Sequence, residues 1–482
     1  MNQETHDYCV ELVKELIDGA DAGDLSQPII PDKYKWEHLL GLFFIKDELD
    51  GGEDLYREVY NLAIQSGENY LRQKAKSGER IKVVFQTYSA AQWPAEGVYR
   101  LFEKMPNVDV QIFVSPLADR EANSREDTYR QTSNWFHERS YNVVDGMNID
   151  ENTYGGWGLL GGYPDVLYQL SSWYACLPRA QWFTQLPLRC LVAYIPYGFD
   201  VADTADGNYA KECVFNKDVM NMMWRVYCDS ASMRDGYEKY QLLKGANVRF
   251  TGYAKMDYFY KDHKPENDYI KSLWKCGAGK DIAQMKKVII APHYTVFPEG
   301  GLCYSTFQKN LWFWLYLVKK YENRVLFMFK PHPNLRRASV RAGLFKDFEG
   351  YDKYIQAWND CPNAFAVQEG SYLEYFATSD AMIMDSVSFL AEYLYTNKPM
   401  LFLTRPEQNF LQNGRALADV YYNVPGEDYV AIEQFIQDVV LEGNDTMAKD
   451  RKCLFEEEYD YYKINGQLAS DFIVNEVKEL IS

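Results

Sequence analysis

The sequence predicts an α/β protein made of two parallel-sheet units that follow an N-terminal helical extension. Three observations carry that prediction. Apolar runs of strand length alternate with amphipathic, helix-like segments, which is the pattern of a parallel sheet with crossover helices. The alternation stops at a charged, turn-rich passage, "YKDHKPENDY" (260–269), and then starts again. At 482 residues the chain is also too long for one ordinary hydrophobic core.

Residues 1–79 read as helix. "YCVELVKELIDGA" (8–20) is amphipathic, and "EDLYREVYNLAIQSGENYLRQKAKSG" (53–78) is long, polar-striped and closed by Gly78. The first α/β unit follows over 80–262. "RIKVVFQTYSA" (80–90) holds a buried strand from Ile81 to Thr87, and "AEGVYRLFEKM" (95–105) a helix. "DVQIFVSP", "DVLYQLS" and "RCLVAYIPYGF" supply further strands. The second unit spans 263–482, with the join near residues 255–285. There "KKVIIAPHY" is a strand, "STFQKNLWFWLYLVKKYENR" a helix and "VLFMFKPHP" a strand. "SYLEYFATSD" is then a helix, "AMIMD" a strand, "SVSFLAEYLYTN" a helix and "PMLFLT" a strand. In paired sheets of this kind ligands bind outside the carboxyl ends of the strands, in the cleft that the two units face.

Composition narrows the function. A net charge of −18 argues against nucleic-acid partners and against a strong hold on anionic lipid. The nine cysteines form no C-x-x-C pair, so a reducing, cytoplasmic setting is expected. The stretch "MNQETHDYCVELVKEL" shows no basic region followed by an apolar run, so a signal peptide is not expected from it. "LLGLFFI" and "LWFWLYLV" fall far short of a membrane span, and the second reads as a buried helix. No phosphate loop, H-E-x-x-H zinc motif or G-x-S-x-G elbow occurs, and the glycines of "GGWGLLGG" (155–162) do not form a dinucleotide fingerprint. A Ser/His/Asp constellation stays open, because such triads are spatial.

Candidate site residues sit at strand ends. In "VLFMFKPHPN" (325–334) an apolar run stops at Lys330, and His332 stands between two prolines. Prolines fix backbone angles and remove amide donors, so the segment is either a rigid pedestal for one imidazole or a stiff turn. His293 follows another strand in "VIIAPHYTVFPEGG". In "AMIMDSVSFLAE", Asp385 ends a strand, Ser386 is an N-cap candidate and Ser388 lies in the first helical turn, where unpaired amides favour an anion. Glu392, two turns in, could meet a sugar hydroxyl. The plain alternative is an ordinary capped helix. In "YIPYGFD", Tyr197 and Gly198 end a strand, where a ligand could approach the backbone. "TGYAKMD" places Gly252, Lys255 and Asp257 near the inter-unit join, with an exposed lysine as the default reading of Lys255.

The order of these segments resembles the CDP-glycerol glycerophosphotransferases, which build teichoic-acid-type polymers. That family's G-Y-P-R-x-D segment corresponds to "GYAKMD" (252–257), its A-P-T-W-R strand end to "APHYT" (291–295) and its strand leading to H-P to "FKPHP". Its D-Y-S-S-V-F-F-D block corresponds to "DSVSFLAE" (385–392). An arginine followed by V-P-G corresponds to Arg415 and "VPG" (424–426), and a G-x-A-S segment to "GQLAS" (466–470) with one residue extra. The resemblance implies two Rossmann-like domains of the glycosyltransferase B type. An acceptor-side domain would span 80–262 and a CDP-donor domain 263–482.

It also implies the chemistry. A hydroxyl acceptor attacks the glycerol-bearing phosphorus of a CDP-activated donor and CMP leaves. The product would be a bacterial cell-surface polymer of teichoic-acid or capsule type. His332, Ser388 and the amides after Asp385 would face the donor pyrophosphate, with Lys330, Ser386, Glu392 and Arg415 nearby. The family's first-domain H-G-T histidine is replaced here by Tyr197, and a phenol with a pKa near ~10 is a poor base at neutral pH. Thr295 stands for an arginine and Val387 for one of the paired serines, so His293 becomes the candidate for the missing catalytic role. The rivals are a nucleotide-sugar glycosyltransferase of the same fold and an inert nucleotide-binding relative. No cofactor is implied beyond Mg²⁺ carried by donor phosphates. The expected partners are the donor and a lipid-linked or saccharide acceptor, with peripheral membrane attachment and homo-oligomer formation left open.

Overall fold

The computed structural model describes residues 29–261, 267–277, 280–299, 301–368 and 371–482. The helix expected at 8–20 and the centre of the 260–269 passage lie outside the described residues. The chain packs as two units. One comprises the described residues up to Gly198 together with Lys211–Asp257 and Tyr461–Ser482; the other comprises Phe199–Ala210 and Tyr258–Asp460.

In the first unit, strands β1 (Ile81–Thr87), β2 (Val108–Val114) and β3 (Val143–Asp145) are followed by a small antiparallel hairpin, β4 (Met147–Asn148) and β5 (Thr153–Tyr154). Strands β6 (Val166–Gln169), β7 (Leu191–Tyr194), β8 (Arg225–Cys228) and β9 (Val248–Phe250) complete the main sheet. Its seven parallel strands run in the order β3-β2-β1-β6-β7-β8-β9. Val83 of β1 pairs with Val110 on one side and Val166 on the other. The near-continuous burial of β1, β6 and β7 is what a sheet covered on both faces demands.

The second unit repeats the plan with β10 (Lys286–Ala291), β11 (Val325–Phe329), β12 (Ala364–Ala366), β13 (Ala381–Met384), β14 (Met400–Thr404) and β15 (Tyr422–Pro425). Its six parallel strands run β12-β11-β10-β13-β14-β15. Both sheets therefore reverse direction beside their first strand, at β1/β6 and at β10/β13, which is the doubly wound Rossmann order. The two α/β units expected from the sequence are borne out; the short strands β3, β8, β9 and β12 and the edge strand β15 carried too little apolar signal to be read. The helix Phe307–Lys320 buries Leu311, Trp314, Leu317 and Val318, yet Trp312 and Tyr316 on its other face are exposed.

The described part of the N-terminal helical extension packs on the first unit. The helix Gly52–Lys76 lies on the first unit: Tyr56 Oη donates to the Asn221 carbonyl at 2.9 Å and Tyr60 Oη to that of Met223 at 2.8 Å. Lys74 pairs with buried Asp165 at 2.8 Å. Gly67 is where the helix comes closest, since a Cβ there would sit 2.5 Å from the Leu191 side chain.

The division at 262/263 also differs from the packing, because residues 461–482 join the first unit. Buried Asp257 is the reason. Its carboxylate accepts from Tyr461 Oη at 2.7 Å, from the Ala469 amide at 3.0 Å and from the Ser470 amide at 2.9 Å, so it caps the helix Ala469–Ile481 from more than two hundred residues away. Gly252 makes room for this clasp: its φ is +80°, and a Cβ would lie 1.9 Å from the Tyr461 ring. Gly343 has φ +72° with nothing within 4 Å of a Cβ. Gly252→Ala should therefore cost more than about 3 kcal/mol in denaturant unfolding, and Gly343→Ala only about 1 kcal/mol. Equal costs would show that the clasp gives way without resistance.

Candidate functional site

Three neighbouring strands of the second unit end at chemically marked residues. β10 runs into Pro292 and His293, β11 into Lys330, Pro331 and His332, and β13 into Asp385 and Ser386. These are the carboxyl ends at the point where the strand order reverses, the place where doubly wound sheets bind ligands.

Asp385 organises them. It is buried, and one carboxylate oxygen accepts the His293 amide at 2.6 Å. The other accepts the amide of Thr306 and its hydroxyl, the latter at 2.8 Å. Burial pushes Asp385 up to about 6, even though these hydrogen bonds favour the charged form. The carboxylate thus ties two strand exits to the start of the helix Phe307–Lys320, a supporting role that differs from the expected contact with a donor. Thr306 is itself fixed by Asn310, whose side-chain amide also reaches the Gly426 carbonyl at 2.7 Å. A Cβ on Gly426 would lie 2.2 Å from Thr306, so the "VPG" segment is a packing surface for this tie.

The two imidazoles touch, their centroids 5.2 Å apart, and Tyr294 stacks obliquely on His332 at 4.5 Å. The Asn334 amide donates to His332 Nδ1 at 3.1 Å; an amide can only donate, so the ring proton sits on Nε2. Nδ1 of His293 is 2.8 Å from the Thr295 hydroxyl, and the Thr295 amide points at the same nitrogen at 3.4 Å. Because that amide can only donate, Nδ1 of His293 is an acceptor, and the Thr295 hydroxyl, which also accepts the Tyr304 amide at 2.9 Å, turns its proton toward it. Both rings are therefore neutral with an N–H at Nε2. Burial holds His293 well below the usual histidine range, and protonation of the adjoining His332 would push it the same way. Burial, then the neighbouring Lys330 ammonium, holds His332 at about 3. With Nδ1 occupied inside the fold, each neutral ring keeps its proton on Nε2.

Lys330 Nζ lies 3.4 Å from the Gln368 carbonyl and 5.9 Å from the Tyr372 ring centroid. Tyr372 Oη donates to buried Glu392 at 2.6 Å, so this glutamate is held inside the fold. The expected N-cap at Ser386 is displaced: the helix is Phe389–Leu394, its N-cap is Ser388 in helical conformation without a side-chain cap bond, and Ser386 precedes it, buried. Arg415 lies apart on the helix Gln412–Asp419, exposed, its guanidinium 5.1 Å from the Phe410 ring centroid.

The remaining candidates belong to the first unit. The Tyr197 carbonyl accepts Tyr253 Oη at 2.7 Å, and Gly198 follows it, half-buried. Gly252 serves the Tyr461 clasp, and Lys255 is half-buried in the turn after it. Sequence reasoning did not single out Tyr294, Thr306 or Tyr372. Tyr294 could have been found from its place inside "APHYT"; nothing local marks the other two. Among the described residues, no group of three or more His, Cys, Asp or Glu side chains could hold a metal ion, and no helix is long and apolar enough to cross a membrane.

The fold is α/β with two Rossmann-like units, of the glycosyltransferase B type. Among solved structures, the chain is similar to a histidine variant of the wall teichoic acid polymerase TagF, with a TM-score of 0.55 at 11% identity over 86% of this chain and 93% of that one. TagF itself matches with a TM-score of 0.52 at 10% identity, over 92% and 98%. A UDP-GlcNAc 2-epimerase from Neisseria meningitidis aligns at 15% identity over 83% and 100%, with a TM-score of 0.49. No protein-family model and no curated protein matches the chain.

The neutral histidines make stability depend on pH. A histidine held below its unfolded value of 6.5 binds a proton in the unfolded chain first, so its contribution falls as the pH drops below 6.5. His332→Gln removes one such group. From pH 6 to pH 4 the stability gap between wild type and this variant should close by about 1.4 kcal/mol per pH unit in denaturant titrations. A gap that stays constant would mean that His332 titrates like a free histidine.

Proposed function

We propose that the protein transfers a polyol phosphate, glycerol phosphate first of all, from a CDP-activated donor to a hydroxyl acceptor during cell-surface polymer synthesis. The observation that carries this reading is the pair of neutral Nε2–H imidazoles, with Lys330 beside them, at the carboxyl ends of β10 and β11 where the sheet order reverses. Two findings on the fold support it. TagF, a wall teichoic acid polymerase, shares the fold, and one of its variants was soaked with CDPG. The order of sequence motifs points to the same family.

The acceptor oxygen attacks the glycerol-bearing phosphorus, the bond to the CMP oxygen breaks, and CMP departs with that electron pair. Charge spreads over the phosphoryl oxygens in a loose transition state, so catalysis is positioning and charge stabilisation. His332 and Lys330 supply donors and positive charge there, and His293, tied to Asp385, holds the neighbouring strand exit. The proton released by the acceptor goes to a group other than these two imidazoles, because their basic nitrogens are already accepting hydrogen bonds.

Calorimetric titration with CDP-glycerol, CDP-ribitol, UDP-glucose and CMP tests the donor. A CDP-polyol should bind most tightly, and His332→Ala should lower turnover by about 10²–10³ with the larger share in kcat. His332→Gln should recover part of the loss, since an amide still donates. Preference for UDP-glucose would move the protein to the nucleotide-sugar transferases, and silence with all four would favour an inert relative.

A further inference from the structure

We propose that the first unit carries a binding cleft for a neutral saccharide at the edge of its sheet, between the helix Ala122–Glu138 and the β4–β5 hairpin. The cleft has a volume of about 590 Å³, a size typical of small-molecule sites. Its floor is preorganised around Asp145, the last residue of edge strand β3. Ser133 Oγ donates to one carboxylate oxygen at 2.6 Å and Tyr129 Oη to the same oxygen at 3.1 Å, while Tyr129 Oη accepts the Met147 amide at 3.1 Å. His137 Nε2 lies 2.9 Å from the other oxygen. Serine and histidine both bond the carboxylate rather than each other, so this is not a hydrolase relay.

The walls are different. Arg130, Asn134 and Asp150 line the cleft, and their side chains make no hydrogen bond or ion pair with any described residue. The cleft therefore offers one guanidinium, one amide and one free carboxylate beside the fixed Asp145, all planar groups that can bond vicinal hydroxyls in pairs. Leu159, 50% exposed, and Tyr154, 37% exposed with the Arg125 guanidinium over one face at 5.6 Å from the ring centroid, add a flank against which the C–H face of a sugar ring can lie. Two carboxylates against one guanidinium disfavour a phosphate or another polyanion, which leaves an uncharged polyhydroxylated ligand.

This assignment stands on the cleft alone. Only its place in a reaction rests on the transfer reading above, under which the ligand is the saccharide part of the acceptor. The test is saturation-transfer NMR and calorimetry on the full chain with maltose, cellobiose and N,N′-diacetylchitobiose, and with glycerol 3-phosphate as the anionic comparison. At least one disaccharide should bind in the range of about 1 mM, and Asn134→Ala and Tyr154→Ala should each weaken it about tenfold with unchanged circular dichroism. His332→Ala should leave this binding untouched, which separates failure here from failure of the donor assignment. No disaccharide bound at about 20 mM, binding indifferent to both substitutions, or tighter binding of glycerol 3-phosphate would overturn the proposal.

Discussion

The carboxylate of Asp385 is the constraint from which the geometry of the second unit follows. Two strand exits and one helix start have to be held in register, and the ladder between β10 and β13 ends before it can do so. One buried carboxylate spans the gap by accepting the His293 amide and both donors of Thr306. Burial makes the ionised form expensive, which is why the group sits near 6 rather than in the usual carboxylate range. A buried acceptor with several converging donors is a rigid junction, because losing any one partner leaves a polar group stranded away from water. The close approach of Gly426 to Thr306 extends that junction to the loop after β15.

The consequence for chemistry is a site made of donors. His293 and His332 each use Nδ1 as an acceptor within the fold, so Nε2 is left with its proton and no basic edge remains. Lys330 adds positive charge at the same strand end, and its charge also helps to keep His332 neutral. Under the proposed transfer, such a surface would meet an anion whose charge spreads during reaction.

Much of this was legible in the sequence, and the exceptions have physical causes. Buried parallel strands are continuous apolar runs, so β1, β10, β11, β13 and β14 announced themselves, and their ends located His293, His332 and Asp385. What those residues do there was not legible, because it depends on hydrogen bonds to Thr295, Thr306 and Asn334, which no periodicity reveals. The start of the short helix after β13 moved from Ser386 to Ser388, since an N-cap preference does not fix which of two serines enters the turn. The destination of residues 461–482 was hidden for the same reason as the role of Asp257. A cap supplied across two hundred residues has no local signature. "GYAKMD" and "GQLAS" read as two separate family motifs, yet in the structure they are the two halves of one clasp. The cleft beside β3 left no motif at all, being assembled from a helix, a strand end and a hairpin.

That clasp also sets an order of events during synthesis. The stretch Tyr258–Asp460, which makes up most of the second unit, is continuous and can close on itself while the chain is still being made. The first unit, begun earlier, cannot cap Asp257 until Ala469 and Ser470 have left the ribosome. Its helix-covered face waits open through some two hundred residues of translation, so the earlier-made half of the molecule is the later one to finish.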